Sequence, residues 1–127
     1  MYRILVVDDE AKIRLLIRKY AEFEGHEVTE AENGMEAVTL CRRSPDAFDI
    51  VIMDVMMPEL DGLSATRAIR GMDRPDARLP IIAMTANLFD EDVAACLAAD
   101  MDAHIPKPLE AGQMIRTIAE WLERKKQ

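Results

Sequence analysis

The chain has 127 residues, 50% of them hydrophobic and 31% charged, with 24 acidic against 16 basic side chains and a net charge of −8. Such a chain buries about two-thirds of its unfolded surface in one domain, so residues 1–127 are expected to form a single unit needing no disulfide or structural metal, and neither disorder nor a fibre fits. The acidic balance excludes nonspecific nucleic-acid binding, which rests on Lys and Arg neutralising phosphates, and the apolar runs are far shorter than the ~20 residues that span a bilayer.

Met1 leads almost at once into a strand-like run, so no secretory leader is expected and the location is read as cytoplasmic. Cys41 and Cys96 fall on different predicted helices and match no zinc or redox spacing; they read as reduced, small apolar residues.

Short apolar runs alternate with stretches of helical spacing, the pattern of an α/β protein with a parallel sheet. The first strand is Tyr2 to Val7; Ile13, Leu16, Ile17 and Tyr20 then form one apolar stripe on a helix that Gly25 closes. A shorter strand, Glu27 to Ala31, precedes a helix capped by Asn33 and running to Arg43, where Ser44-Pro45-Asp46 breaks it. Phe48 to Asp54 is unalternating and hence buried on both faces, which places it at the centre of the sheet. A Pro58- and Gly62-bearing loop, a helix from Leu63 to Arg70 and a polar loop over 71–80, expected to be the most mobile, come next. The fourth strand is Ile81 to Met84, the fourth helix is the alanine-rich Glu91 to Ala99, weakly anchored, and the fifth strand is Ala103 to Ile105. A last helix from Glu110 carries Met114, Ile115, Ile118 and Leu122.

Polar residues stand where four of these strands stop: Asp8 and Asp9, Asp54, Thr85 and Lys107. In an open parallel sheet the carboxyl ends of the strands line the ligand crevice, so these groups are expected to share one pocket. Close carboxylates repel by about 4 kcal/mol per pair at an effective dielectric of about 20, and a divalent cation relieves that repulsion. Magnesium suits the set, because it is held by one or two carboxylates and leaves positions for phosphate oxygens; calcium would want more oxygens than any loop offers. A carboxylate is also a nucleophile toward phosphorus, with a hydroxyl and a cation matching the charge of the transferring oxygens. Taken singly, Asp8 and Asp9 could merely cap a helix, Thr85 could do the same, and Lys107 could be a solvated lysine.

The motifs Ile4-Leu5-Val6-Val7-Asp8-Asp9-Glu10, Asp54-Val55-Met56-Met57-Pro58 with Asp61-Gly62, Ile81-Ile82-Ala83-Met84-Thr85-Ala86, and Lys107-Pro108 together resemble the receiver domain of two-component response regulators over essentially the whole chain. The look is similar to receivers of hybrid sensor kinases or single-domain regulators. The resemblance implies a flavodoxin-like three-layer α/β/α sandwich with a five-stranded parallel sheet of order 2-1-3-4-5 and five helices. It implies Asp54 as phosphoacceptor, Mg2+ held by Asp8, Asp9, Asp54 and the backbone carbonyl of Met56, and Lys107 and Thr85 binding the phosphoryl group, with a cis Lys107-Pro108 peptide. A sensor histidine kinase or histidine phosphotransfer protein would be the donor. A downstream protein, or a second copy in a phosphorylation-dependent homodimer, would bind the face of the fourth helix, fifth strand and fifth helix. Catalysis would be limited to the chain's own phosphorylation and the hydrolysis of its acyl phosphate, with no DNA-binding output domain and no membrane insertion.

The chain departs from the family pattern at His104, where an aromatic switch residue is usual. Two readings follow: an output surface mildly sensitive to pH, or a half-buried imidazole with no switching role. Asp100 replaces a usual glycine, and Met56 and Asn87 flank the expected phosphoryl site, where they bear on its lifetime. Lys12, Arg14, Arg18 and Lys19 form either a docking stripe for an acidic partner or a solvated face with Glu10–Arg14 and Arg18–Glu22 pairs. Rival functions are weaker on the residues. A haloacid-dehalogenase phosphatase needs an aspartate where Met56 stands, and a flavin carrier needs a phosphate-cradling loop where Asp8-Asp9 stands. A receiver-like domain that never takes phosphate would not need the full set of acids, Thr85 and Lys107.

Overall fold

The computed structural model describes residues 2–44, 47–54, 62–71, 79–85, 101–106 and 111–125. Its elements are β1 (Arg3–Val7), α1 (Ala11–Phe23), β2 (Glu27–Ala31), α2 (Gly34–Arg43), β3 (Ile50–Asp54), α3 (Gly62–Arg70), β4 (Ile81–Thr85), β5 (Ala103–Pro106) and α4 (Ala111–Lys125). The strands form one parallel sheet of order β2-β1-β3-β4-β5, the expected flavodoxin-like topology with β3 at the centre. Four helices are seen among the described residues against five expected; the expected helix at 91–99 lies outside them, as do most of the 71–80 loop and the Lys107-Pro108 peptide.

Period-two alternation divides the strand side chains between two cores. Leu5, Val7, Val51, Met53, Ile81 and Ala83 pack against α2 and α3 residues such as Val38, Cys41 and Ile69. Ile4, Val6, Ile50, Ile52, Ile82 and Met84 pack against Ile17 of α1 and Met114, Ile118 and Leu122 of α4. Both faces are therefore covered, which is why these strands read as continuous apolar runs rather than alternating ones. Cys41 is a buried cysteine of the first core that forms no disulfide among the described residues, and Cys96 lies outside them. Among the described residues no helix is long and apolar enough to cross a membrane.

Local signals set the helix ends. Asn33 accepts the Glu36 N–H at 2.8 Å, the side-chain cap expected of it. Gly25 has φ +87° after α1, with its N–H on Glu22 O at 3.0 Å and the His26 N–H on Ala21 O at 3.0 Å, the paired bonds of a Schellman stop. A Cβ at Gly25 would meet nothing within 4 Å, so Gly25→Ala isolates the backbone term. It is expected to lower stability by about 1–2 kcal/mol in urea unfolding, the left-handed penalty of an L-residue.

His26 shapes the pH response. Its Nδ1 accepts the Tyr2 N–H at 3.3 Å and its ring lies 5.6 Å from that of Tyr2. Desolvation by burial holds its pKa below the ordinary 6.5. The unfolded chain then binds a proton that the native state refuses, so stability falls as pH drops below 6.5 toward the lowered native value. His26→Asn, which keeps an acceptor but cannot titrate, is expected to flatten this part of the stability profile; parallel wild-type and variant curves would refute the assignment.

Candidate functional site

Parallel register brings the strand ends together. Val7 lies beside Met53 across β1 and β3, Asp54 beside Met84 across β3 and β4, and Thr85 beside Pro106 across β4 and β5. Asp8 and Asp9 leave the end of β1, and Asp54 is the last residue of β3. Carboxylate oxygens of Asp8, Asp9 and Asp54 lie within 4.8 Å of one another. Asp8 is 0% exposed and Asp54 5%, while Asp9 is exposed. Two of the three acids are thus buried and the third is accessible to solvent.

The helix-cap alternative for Asp8 is resolved by geometry. The N-cap position of α1 is Glu10, whose side chain makes no capping bond. Asp8 Oδ1 instead accepts the Glu10 N–H at 2.9 Å, an Asx turn that fixes one carboxylate oxygen. The backbone of Asp8 is held as well: its N–H donates to Ala31 O at 3.2 Å, and its carbonyl accepts from Arg14 Nη1 at 2.7 Å.

A donor set of three carboxylates, two of them buried, is hard-oxygen chemistry and fits a small divalent cation. The carboxylate of Asp9 is exposed to solvent. Thr85 ends β4 in the expected place, but its side chain, with Met56 and Lys107, lies outside the described residues. Asn87 and Asp100 lie outside them too.

Two expectations are corrected. His104 is exposed on β5 rather than half-buried, because β5 ends the sheet and His104 alternates with the inward-facing Ile105. The basic stripe on α1 is divided. Lys12 and Lys19 are exposed, but Arg14 reaches Glu30 Oε1 at 3.0 Å instead of Glu10, and Arg18 binds Glu30 together with Glu22. Glu30 lies on the same face of β2 as Val28, the face toward α1, so the sheet supplies the partner that the helix sequence alone did not show. Only Arg18–Glu22, at 3.4 Å, follows the spacing within the helix.

The model of the response regulator receiver domain matches residues 4–119, and the chain belongs to that family. Its homologues are receiver domains of hybrid sensor kinases. The chain is 37% identical over 121 residues to the sensor protein GacS of Pseudomonas syringae pv. syringae, an alignment covering 94% of this chain and 13% of that protein. It spans 13% to 17% of the length of the first curated relatives it matches. Among solved structures, the receiver domain of sensor histidine kinase PA1611 from Pseudomonas aeruginosa PAO1, with magnesium coordinated in its active-site cleft, is 34% identical with a TM-score of 0.85, covering 96% of this chain and 98% of that one. The chemotaxis protein CheY4 of Vibrio cholerae is 26% identical with a TM-score of 0.85, covering 94% and 98%.

Proposed function

We propose that this receiver domain accepts a phosphoryl group on Asp54 from the phosphohistidine of a sensor histidine kinase or histidine phosphotransfer protein, in a Mg2+-dependent reaction. The observation that carries the reading is the buried Asp54 carboxylate within 4.8 Å of those of Asp8 and Asp9 at the end of the central strand. A lone buried acid would be expelled or neutralised; three together call for a cation and leave one carboxylate to act as nucleophile.

Asp8, Asp9 and Asp54 would hold the ion, with the Met56 carbonyl added by family resemblance. Bound there, magnesium supplies positive charge matching the oxygens of a transferring phosphoryl group. An Asp54 oxygen attacks phosphorus in line with the leaving imidazole nitrogen, the P–N bond breaks, and the imidazole keeps the electron pair and is protonated. Asp54 is left as a mixed anhydride, later hydrolysed by water. Thr85 and Lys107 are assigned to the phosphoryl oxygens on the family motif, Thr85 following the β4 register that places Met84 beside Asp54.

The chain is read as a cytoplasmic switch that modifies itself, not as a turnover enzyme. Added phosphate charge would draw Thr85 and Lys107 and so bias the output face that the family resemblance assigns to this side of the sheet, β5 and α4 included, toward a downstream protein or a second copy. Exposed His104 belongs to that surface.

Incubation with acetyl phosphate tests the reading. Intact mass should rise by one phosphoryl group with Mg2+ and stay unchanged in excess chelator. An unchanged mass under both conditions would favour a receiver that works by protein contacts alone.

A further inference from the structure

The carboxylates of the site have an arginine behind them that the phosphoryl chemistry does not itself call for. Arg14, on the first turns of α1, is only 11% exposed at its side chain. One face of its guanidinium binds Glu30 of β2, from Nε to Oε1 at 3.0 Å, and Nη1 donates to the backbone carbonyl of Asp8 at 2.7 Å. The backbone on both sides of the Asp8 Cα is thereby tied to β2, through the Asp8 N–H to Ala31 O and through the Asp8 carbonyl to Arg14 and Glu30. Arg18 holds the other oxygen of Glu30, so the anchor is itself fixed.

We propose that Arg14, anchored by Glu30, is a positioning residue for the divalent cation: by clamping the Asp8 carbonyl it holds the Asp8-Asp9 turn in the geometry that cation binding needs. This rests on the reading of the acidic cluster as a metal site. The turn between β1 and α1 carries two of the three acids, and without the clamp the planar Asp8–Asp9 peptide unit could turn about the single bonds that flank it. A planar fork that spans a carboxylate and a carbonyl at once restricts that rotation, a task a lysine ammonium performs poorly.

Electrostatics alone makes the opposite prediction, and this makes the inference decisive to test. Arg14 is a cation near a cation site, so removing its charge should tighten metal binding if charge were its whole influence. Positioning requires the reverse. Mg2+ affinity is measured by amide NMR titration of the unphosphorylated chain, with no phosphoryl donor present. Arg14→Met and Arg14→Lys are each expected to weaken Mg2+ binding about tenfold, the low end of what loss of a ligand-orienting partner costs, and Glu30→Gln to weaken it less. Before any metal is added, both Arg14 variants should also shift the Asp9 amide nitrogen, which is bonded to the clamped carbonyl carbon, relative to the wild type.

Arg70→Met is the control for general loosening, since it breaks a buried contact at the other end of the sheet and should leave Mg2+ affinity as in the wild type. Equal or tighter binding by Arg14→Met overturns the inference, as does an equal loss in Arg70→Met. A wild-type chain that binds no Mg2+ overturns the metal-site reading itself, which separates the two failures.

Discussion

Asp54→Asn is expected to abolish phosphoryl incorporation from acetyl phosphate or a phosphohistidine donor while leaving the fold intact. The amide is nearly isosteric with the acid, so the packing at the end of β3 is preserved; what disappears is the nucleophile and one of the three negative charges. At a separation within 4.8 Å and an effective dielectric of about 20, the buried Asp8 and Asp54 carboxylates repel by on the order of 3 kcal/mol, which a bound cation offsets in the wild type. The variant should accordingly lose Mg2+ affinity too. Amide NMR would show a folded chain whose spectrum no longer responds to millimolar Mg2+ or to phosphoryl donor. Full labelling of Asp54→Asn would move the acceptor to another residue and remove the mechanism derived above.

The largest effect on stability should come from Asp102→Ala. Asp102 precedes β5, and its Oδ2 takes the Arg70 Nη2 at 2.6 Å and the Ile81 N–H at 2.8 Å, while Arg70 Nη1 binds Leu79 O. The end of α3 and the starts of β4 and β5 are joined through this one pair, whose side chains are 9% and 13% exposed. Alanine leaves a nearly buried guanidinium without its carboxylate and a strand N–H without its acceptor. Breaking a buried pair from one side costs about 3–5 kcal/mol, or roughly 10–20 °C in Tm for a chain of this size. Asp102→Asn, which keeps an acceptor for Ile81, should lose less. Arg70→Met combined with Asp102→Leu should recover much of the loss, because an apolar pair carries no desolvation cost. Ile81 is three residues before Met84, the register partner of Asp54, or about 10 Å along the strand. Phosphoryl acceptance per folded molecule should therefore not change, and urea unfolding paired with intact mass checks both halves.

What could be read from the sequence was whatever is written locally. The β3 run from Ile50 to Met53 is apolar without alternation because both faces are covered, and its closing aspartate is conspicuous for the same reason. Asn33 and Gly25 announce helix ends through their own backbone and side-chain chemistry. Strand limits shifted by one or two residues: β1 begins at Arg3 and β3 at Ile50, while the flanking Tyr2 and Phe48 pack as apolar residues against the two cores. Contacts spanning distant stretches were not legible. Arg14 and Glu30 are 16 residues apart, and Arg70 and Asp102 are 32 apart. No periodicity links either pair; the sheet topology does. Glu10, the nearer acid for Arg14 in sequence, lost to an acid on the neighbouring strand because β2 turns Glu30 toward α1. The exposure of His104 likewise follows from β5 standing at the sheet's edge, a consequence of strand order rather than of residues 103 to 105 themselves.

The chemical identity of the acceptor is the point on which the functional account stands. After incubation with acetyl phosphate and Mg2+, borohydride reduces an acyl phosphate to an alcohol, turning a phosphorylated aspartate into homoserine at its place in the chain. Peptide mass spectrometry should find that conversion at Asp54 and at no other acid, and only in samples that received both donor and metal. Homoserine at Asp8 or Asp9, or none anywhere in a chain whose intact mass has risen, would contradict it.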